Sequence, residues 1–251
     1  MKRLVMGNEA VALGALETGM SFFAAYPITP ASEIMHVLAE KENEIVFIHA
    51  EDEIASIHLA IGGSLAGHKS MTSTSGPGMS LKQEGLGLVH MMEVPMVVVN
   101  VQRVGPSTGM PTLPAQGDII QSIHGSHGDY PALVFYPGSV EECYRYTQAA
   151  FNAAEESSSP VVLLLDGFLA HLSETVDLGK IEVPSVKRTL KPLGEGRRHF
   201  TGLLSENSVP KTKDTAYYRK WYAGMKEKIA GAAADHAYFE YVPHPESDTL
   251  L

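Results

Sequence analysis

The 251 residues are 44% hydrophobic and 19% charged, as in a globular protein, and the single cysteine excludes both a disulfide within the sequence and an iron–sulfur cluster held by its cysteines alone. Residues 1–175 carry 7 basic and 19 acidic side chains, a net charge of −12 that argues against nucleic acid as a partner, whereas residues 176–251 carry 12 basic and 10 acidic side chains, a net charge of +2. No apolar run reaches the roughly 18 residues of a membrane span and the N-terminus lacks a signal-peptide pattern, so we expect a cytoplasmic protein without membrane contact.

Strand and helix patterns alternate through residues 1–175. Asn8 is a candidate cap for a helix that ends near Thr18, and Thr29 as N-cap with Pro30 as first helical residue predicts a helix over about 30–40. Strands are predicted at 21–25, 45–49, 69–74, 96–102, 133–136 and 161–166, with further helices at 52–66, 78–92 and 139–156 and a long loop with short helical pieces at 105–128. This alternation predicts an α/β fold with a doubly wound parallel sheet.

The alternation stops after Thr175, where the charge balance also changes, so we expect a domain boundary near residue 176. Residues 176–213 have no clear period and predict an extended linker. Residues 248–251 resemble the start of another strand, so residues 176–251 are expected to lead to a second domain that is absent from this sequence.

A helix is predicted within this C-terminal part, over residues 214–231. Its aromatic and apolar residues share one side: Tyr218, Trp221, Tyr222 and Met225. We expect this side to pack at an interface with another subunit or a second copy, and the alternative is that it covers the chain's own core.

Polar features follow three of the predicted strands, and open α/β sheets bind ligands at that edge. Glu51 follows strand 45–49, Ser75-Gly76-Pro77-Gly78 follows strand 69–74, and Arg103 follows strand 96–102. Each feature alone is weak evidence, because a strand-end carboxylate is often a helix cap, such a turn often only reverses the chain, and an arginine there can form a structural salt bridge. No Gly-Lys-Ser/Thr follows the turn and the histidines show no metal spacing, so neither a nucleotide P-loop nor a metal site is predicted.

In combination, Glu51 to Gln102 resembles the pyrimidine-binding module of thiamine diphosphate enzymes, with a strand-end glutamate, a helix of small residues, a Thr-Ser-Gly-Pro-Gly turn and a Pro-x-Val-Val-Val strand. Other segments resemble the α subunits of 2-oxoacid:ferredoxin oxidoreductases, most closely those of the 2-oxoglutarate type. They are Tyr26-Pro27-Ile28-Thr29-Pro30, Glu51-Asp52-Glu53, Gly105-Pro106-Ser107-Thr108-Gly109-Met110-Pro111-Thr112, Gln116-Gly117-Asp118 and His127-Gly128-Asp129. The resemblance covers about residues 5–175.

This resemblance implies a thiamine diphosphate site. Glu51 would be the catalytic carboxyl that hydrogen-bonds N1′ of the cofactor's pyrimidine and so promotes loss of the C2 proton, with desolvation by the ring favouring the protonated carboxyl. Thr29 would contact cofactor and substrate near the reacting carbon, and Arg103 would bind the substrate's 1-carboxylate, which suits its planar fork of donors. The remaining expected cofactor-binding residues are Tyr26, Pro27, Ile28, Ser75 and Gly76.

The family's metal-diphosphate motif, Gly-Asp-Gly with a downstream asparagine, has only an imperfect match here. Gly128-Asp129-Tyr130 has tyrosine at the third position, and Asn152 falls inside a predicted helix, so we interpret this match as a coincidence. The resemblance therefore implies that this chain binds no metal itself. A partner β subunit would hold Mg²⁺, the diphosphate and the iron–sulfur clusters, in a homo- or hetero-oligomer that shares the thiamine diphosphate.

The implied activity is the oxidative decarboxylation of 2-oxoglutarate to succinyl-CoA, with coenzyme A as acyl acceptor and ferredoxin as electron acceptor. Ser107 and Thr108 favour 2-oxoglutarate as the substrate. The alternatives are a branched-chain or other 2-oxoacid:ferredoxin oxidoreductase, a non-redox decarboxylase on the same module, and a non-catalytic structural subunit or separately expressed domain of the same fold. The presence of Glu51, Thr29 and Arg103 argues against a non-catalytic module.

Overall fold

The computed structural model describes residues 2–195, 201–207 and 209–238. Its helices are α1 Gly7–Glu17, α2 Ser32–Ala39, α3 Glu53–Leu65, α4 Pro77–Met92, α5 Ile119–Ile123, α6 Val140–Ser157, α7 Gly167–His171 and α8 Thr215–Asp235, with a 3-10 turn at Leu178–Lys180. Its strands are β1 Arg3–Met6, β2 Phe22–Ala25, β3 Val46–His49, β4 Ser70–Thr74, β5 Met96–Val101, β6 Leu133–Phe135, β7 Pro160–Leu165, β8 Ser173–Val176, β9 Ser205–Glu206 and β10 Val209–Pro210. The strand start expected at 248–251 lies outside the described residues.

A six-stranded sheet forms the centre, in the order β3-β2-β4-β5-β7-β6. Every neighbouring pair in this sheet is parallel. All residues of β4, β5 and β7 are buried, because helices cover both faces of the sheet, and this explains their continuous apolar or small-residue sequences. The predicted fold class, a doubly wound α/β fold with a parallel sheet, is confirmed.

The two faces of the sheet have separate apolar cores. Helices α1, α2 and α6 contribute to one core, and α3 and α4 contribute to the other. The α3–α4 contact is close because Gly85 has no side chain: a Cβ there would lie 2.8 Å from Ile57 Cγ2. This packing holds the first turns of α3 and α4 against the end of β4.

Two helix starts differ from the sequence prediction. Asn8 lies inside α1 rather than capping it, and its side-chain amide donates to the main-chain oxygen of Pro30 at 2.8 Å. Helix α2 begins at Ser32, so Thr29 is not its N-cap and Pro30 is not its first residue. The reason is that the carbonyls of Thr29 and Pro30 accept hydrogen bonds from distant side chains, which keeps this segment a turn.

The pairing of β1 with β8 was not predicted. These strands are antiparallel, with Leu4 opposite Thr175, and they form a separate two-stranded sheet. The partners lie far apart in sequence and each is only four residues long, so neither strand gives a local signal. The pair ties the N-terminus to the end of the main α/β unit.

Residues 181–192 form neither helix nor strand and lie against the amino-terminal edge of the sheet. The Asn152 side chain donates to the main-chain oxygen of Pro184 and accepts from the amide of Val186, both at 2.8 Å. Arg188 pairs with Glu155 at 2.7 Å, and both side chains are largely buried. This segment is therefore held to the α/β unit by hydrogen bonds along its length.

Helix α8 packs on α6 through one buried side. Met225, Ile229 and Ala232 are each 3% exposed and belong to the core on the α6 face, and Trp221 packs partly against it. Met225 therefore covers the chain's own core, as the alternative expected, whereas Tyr218 on the same predicted side is 46% exposed, and an interface with another chain through this side stays a prediction. Within the described residues, no helix combines the length and apolarity needed to cross a bilayer.

Candidate active site

Three of the segments singled out in the sequence meet at the carboxyl edge of the sheet. Strands β2, β4 and β5 lie side by side in parallel, so the residues that follow them are neighbours. Residues 26–30 follow β2, Ser75 and Gly76 follow β4, and Arg103 follows β5. Glu51 follows β3, which pairs in parallel with β2, so the carboxyl edge brings together every site residue predicted from the sequence, although the Glu51 side chain is exposed there.

Arg103 is the most confined charged group at this edge. It is 5% exposed, and its Nη1 donates to the main-chain oxygen of Thr29 at 2.8 Å. Burial lowers the pKa of the guanidinium from its usual value, and the negative charges of Glu53 and Asp118 oppose this change. The side chain is thus a fixed cation with its direction set by the main chain after β2.

Gly76 is required by the position of Arg103. Its φ of +46° lies in the left-handed region, and a Cβ at this position would lie 2.9 Å from Arg103 Nε. Any larger residue would displace the guanidinium. The Gly-Pro-Gly turn therefore makes room for the arginine as well as starting α4.

The two glutamates of Glu51-Asp52-Glu53 have opposite environments. Glu51 is exposed, and no hydrogen bond or ion pair connects its side chain with other described residues, whereas Glu53 is 7% exposed. A Cβ at Gly78 would lie 2.7 Å from Glu53 Oε1, so this carboxyl lies against the first turn of α4. Asp52 caps α3, with Oδ1 accepting from the Ala55 amide at 2.7 Å.

Sequence analysis missed Glu53, although the helical period contains a signal for it. Glu53 lies three, four and seven residues before Ser56, Ile57 and Ala60, all of which are fully buried. Because residues at these spacings share one face of a helix, Glu53 belongs to the buried face of α3. Glu51 precedes the helix and is outside this pattern.

Several buried polar atoms at this edge have no hydrogen-bond partner among the described residues. They are Thr74 Oγ1, Ser75 Oγ and Arg103 Nε. An unsatisfied buried polar group costs about 1–3 kcal/mol, so such groups at a ligand-binding edge favour a polar ligand that satisfies them. Together with the Glu53 carboxyl they offer both hydrogen-bond donors and acceptors.

A chain of hydrogen bonds through Asn100, Asp118, Gln102 and Tyr136 extends this edge beyond Arg103. Asn100 Nδ2 donates to Asp118 Oδ2 at 3.2 Å, the Asp118 amide donates to Gln102 Oε1 at 3.3 Å, and Gln102 Nε2 donates to the Tyr136 hydroxyl at 3.0 Å. Burial raises the pKa of Asp118, while the Asn100 hydrogen bond and the Arg103 charge lower it. These contacts attach the loop after β5 to the sheet edge.

Asn152, the asparagine of the imperfect metal-diphosphate match, has a structural role. Both polar atoms of the Asn152 amide are used by residues 184 and 186, at the opposite edge of the sheet from Arg103. No group of three or more metal-ligating side chains occurs in the part of the chain that the structure describes. Asn152 is therefore not available to a diphosphate or a metal.

A family model and several related proteins all point to one family. The family model described as "Pyruvate flavodoxin/ferredoxin oxidoreductase, thiamine diP-bdg" matches residues 13–239. The 2-oxoglutarate synthase subunit KorA of Archaeoglobus fulgidus is 50% identical over 222 residues, which cover 86% of this chain and 64% of that protein. The 2-oxoglutarate oxidoreductase subunit KorA of Mycobacterium tuberculosis is 41% identical over 99% of this chain and 38% of that protein. The ketoisovalerate oxidoreductase subunit VorB of Methanothermobacter thermautotrophicus is 43% identical over 68% of this chain and 49% of that protein.

Among solved structures, the chain is similar to a 2-oxoglutarate:ferredoxin oxidoreductase from Magnetococcus marinus with 2-oxoglutarate, coenzyme A and succinyl-CoA bound. The TM-score is 0.87 and the identity 35%, over 95% of this chain and 46% of that one. The chain thus spans between 38% and 64% of the length of these relatives. The resemblance found in the sequence is confirmed, and the chain belongs to the thiamine diphosphate-binding family of the pyruvate flavodoxin/ferredoxin oxidoreductases.

Proposed function

We propose that this chain is the α subunit, or its N-terminal part, of a 2-oxoglutarate:ferredoxin oxidoreductase. In this reaction 2-oxoglutarate loses CO₂, its succinyl group is transferred to coenzyme A, and the two electrons released pass to ferredoxin. The KorA proteins, at 50% and 41% identity, support this substrate. The observation that carries the proposal is the convergence of Glu53, Arg103 and the unsatisfied polar atoms after β4 at one edge of the sheet.

These residues fit the pyrimidine half of a thiamine diphosphate site. The bound cofactor supplies the C2 carbanion that adds to the 2-oxo carbon. We assign to Glu53, rather than Glu51, the carboxyl that holds a proton at N1′ of the pyrimidine, because Glu53 is buried beside Thr74 and Gly78 whereas Glu51 is exposed. Ser75 and Gly76, with Tyr26, Pro27 and Ile28 from the turn after β2, remain the proposed cofactor-binding residues.

Arg103 is the proposed ligand of the substrate's 1-carboxylate. Its Nη1 is used by the main-chain oxygen of Thr29, while Nε has no partner among the described residues. A carboxylate that accepts from the remaining guanidinium donors would form a charge-assisted hydrogen bond of the strong type. Thr29 lies next to that position, which supports its proposed contact with substrate and cofactor.

Exposed apolar side chains surround this edge and support a partner subunit that covers it. They follow β2, β5, β6 and β7: Tyr26 38%, Met110 54%, Leu113 45%, Ile120 69%, Tyr136 40% and Phe168 66% exposed. A cluster of this kind is typical of a protein–protein interface. We propose that the covering β subunit holds Mg²⁺, the cofactor's diphosphate and the iron–sulfur clusters, and passes electrons to ferredoxin.

The test is turnover of the chain co-expressed with its neighbouring subunits. Coenzyme A-dependent ferredoxin reduction is measured with 2-oxoglutarate, 3-methyl-2-oxobutanoate and pyruvate. We expect the highest kcat/KM with 2-oxoglutarate. A preference for 3-methyl-2-oxobutanoate would instead support the branched-chain activity that the 43% identity to VorB suggests. CO₂ release without ferredoxin reduction would indicate a non-redox decarboxylase, and no turnover of any 2-oxo acid would indicate a structural subunit.

A further inference from the structure

Lys82 is a fully buried lysine in α4, one turn after the start of that helix. Its exposed fraction is 0%, and it is among the largest fully buried side chains of the chain. An ammonium group in the interior destabilises the folded state unless its donors are satisfied. Lys82 was not singled out in the sequence, and the mechanism above does not use it.

Three oxygen atoms surround the ammonium. Lys82 Nζ donates to the main-chain oxygen of Glu53 at 3.1 Å, to Thr72 Oγ1 at 3.1 Å and to Ser56 Oγ. Ser56 Oγ donates to the same Glu53 oxygen at 3.0 Å. The three donors of the ammonium are therefore matched by three acceptors, and two of these acceptors belong to the first turn of α3.

The contacts of Lys82 join the elements that form the candidate site. Glu53 and Ser56 are on α3, Thr72 is on β4 two residues before Thr74, and Lys82 itself is on α4. Burial lowers the pKa of Lys82 to about 7, and the negative charges of Glu53 and Asp52 oppose this change. The charge of Glu53 likewise opposes the lowering of the pKa of Arg103 by burial, so it acts on the cations of both residues.

A second buried lysine, Lys69, provides a comparison within the same chain. It is 8% exposed and precedes β4 directly, at the amino end of that strand. Its Nζ also has three oxygen acceptors: Thr18 O at 2.9 Å, Ser185 Oγ at 3.0 Å and Val186 O at 2.8 Å. Lys69 thus anchors the 181–192 segment, far from the candidate site, whereas Lys82 anchors the main chain of the proposed catalytic carboxyl.

We propose that Lys82 is a positioning residue for the reaction: its buried ammonium holds the main-chain oxygen of Glu53 and thereby directs the Glu53 carboxyl towards the cofactor. This inference rests on the proposed function of Glu53. The physical reason is that helix ends fray, because the N–H groups of the first turn have no intrahelical acceptor. The hydrogen bonds from Lys82 and Ser56 add constraints on one carbonyl in that turn.

The test compares Lys82→Met with Lys69→Met in the enzyme assembled with its partner subunits. Both variants remove a buried ammonium and keep an unbranched side chain, so both should lower Tm. Lys82→Met should slow exchange of the C2 proton of bound thiamine diphosphate, and kcat, by on the order of 10- to 100-fold with KM unchanged. It should also accelerate amide hydrogen exchange in residues 53–57, measured by mass spectrometry. Lys69→Met should leave C2 exchange and these amides as in the wild type.

Thr72→Val is a milder variant, which removes one acceptor of the Lys82 ammonium and keeps the lysine. It tests the role of Lys82 if the Lys82→Met enzyme does not assemble. We expect a smaller decrease in C2 exchange for this variant. Wild-type C2 exchange in Lys82→Met, or in Thr72→Val where Lys82→Met does not assemble, would overturn the inference, as would equal losses in Lys82→Met and Lys69→Met. If Glu53→Gln also exchanges C2 at the wild-type rate, the assignment of Glu53 itself fails; if only Glu53→Gln is impaired, the inference about Lys82 alone fails.

Discussion

The guanidinium of Arg103 and the main-chain oxygen of Thr29 are 2.8 Å apart, although the residues are 74 positions apart in the sequence. They follow β5 and β2, which are separated in the sheet by β4. The arginine therefore crosses the end of β4, and it can do so because Gly76, the residue in its path, has no side chain. One side chain thus joins three strand ends into a single site.

The burial of Glu53 predicts a difference between two neighbouring carboxyl groups. Glu53→Gln should slow exchange of the C2 proton of bound thiamine diphosphate by about 10²- to 10⁴-fold, the usual contribution of an acid–base group. Glu51→Gln is the matched control and should behave as the wild type, because Glu51 is exposed. Both are measured by NMR after acid quench of the assembled enzyme. The opposite order of effects would restore Glu51 as the catalytic carboxyl.

Arg103 should determine the affinity for the 2-oxo acid rather than for the cofactor. Lysine at this position keeps the charge but loses the planar fork of donors, so Arg103→Lys should raise KM by the equivalent of about 1–3 kcal/mol. The Kd for thiamine diphosphate, measured by calorimetry on the assembled enzyme, should not change. A wild-type KM in this variant, or weaker cofactor binding alone, would contradict the proposed role.

Two adjacent glycines of α3 should respond to alanine in opposite directions. Gly62 is exposed and a Cβ there would meet no atom within 4 Å, so Gly62→Ala should stabilise the fold by about 0.5–1 kcal/mol through helix propensity. A Cβ at Gly63 would overlap the Phe22 ring, so Gly63→Ala should destabilise it by about 1–3 kcal/mol. Urea unfolding of both variants measures the difference. Equal effects would mean that α3 does not approach β2 as closely as described.

His90 should make the protein sensitive to mild acid. Burial lowers its pKa to about 4, from about 6.5 in the unfolded chain, so between these pH values the unfolded state binds more protons. The free energy of unfolding should therefore fall as pH decreases from 6.5 to 4, by about 3 kcal/mol for this group.

The variant His90→Phe keeps a ring against Tyr130, whose centroid lies 4.4 Å from that of His90, and removes the titration. Its unfolding free energy should decrease less over the same pH range, as measured by urea unfolding at several pH values. His124→Gln, at an exposed position, should keep the wild-type pH dependence. Parallel curves for wild type and His90→Phe would rule out His90 as the source.

The central sheet could be predicted from sequence because its signals are local. The strand expected at 96–102 is found at Met96–Val101, and the helix expected at 52–66 is found at Glu53–Leu65. A parallel strand covered on both faces needs an uninterrupted apolar run, which can be read directly from the sequence. The start of α3 is also a local signal, because its N-cap Asp52 accepts a hydrogen bond from the amide of Ala55, three residues later. The spaced motifs also identified the family and placed Thr29, Ser75, Gly76 and Arg103 at one edge.

What the sequence by itself determined is therefore the fold class, the family and the strand ends at which the proposed site lies. Tertiary structure decided which of two neighbouring glutamates is buried at that edge and which side of α8 faces inward. Glu51 and Glu53 differ by two residues, but each helical residue turns the side chain by about 100°, so only the docking of α3 on β4 shows that Glu53 is the buried one. The side chain of Asn8 and the side of α8 around Met225 are placed by contacts with residues that are distant in the sequence. No local sequence pattern identifies a partner that folding brings from elsewhere in the chain.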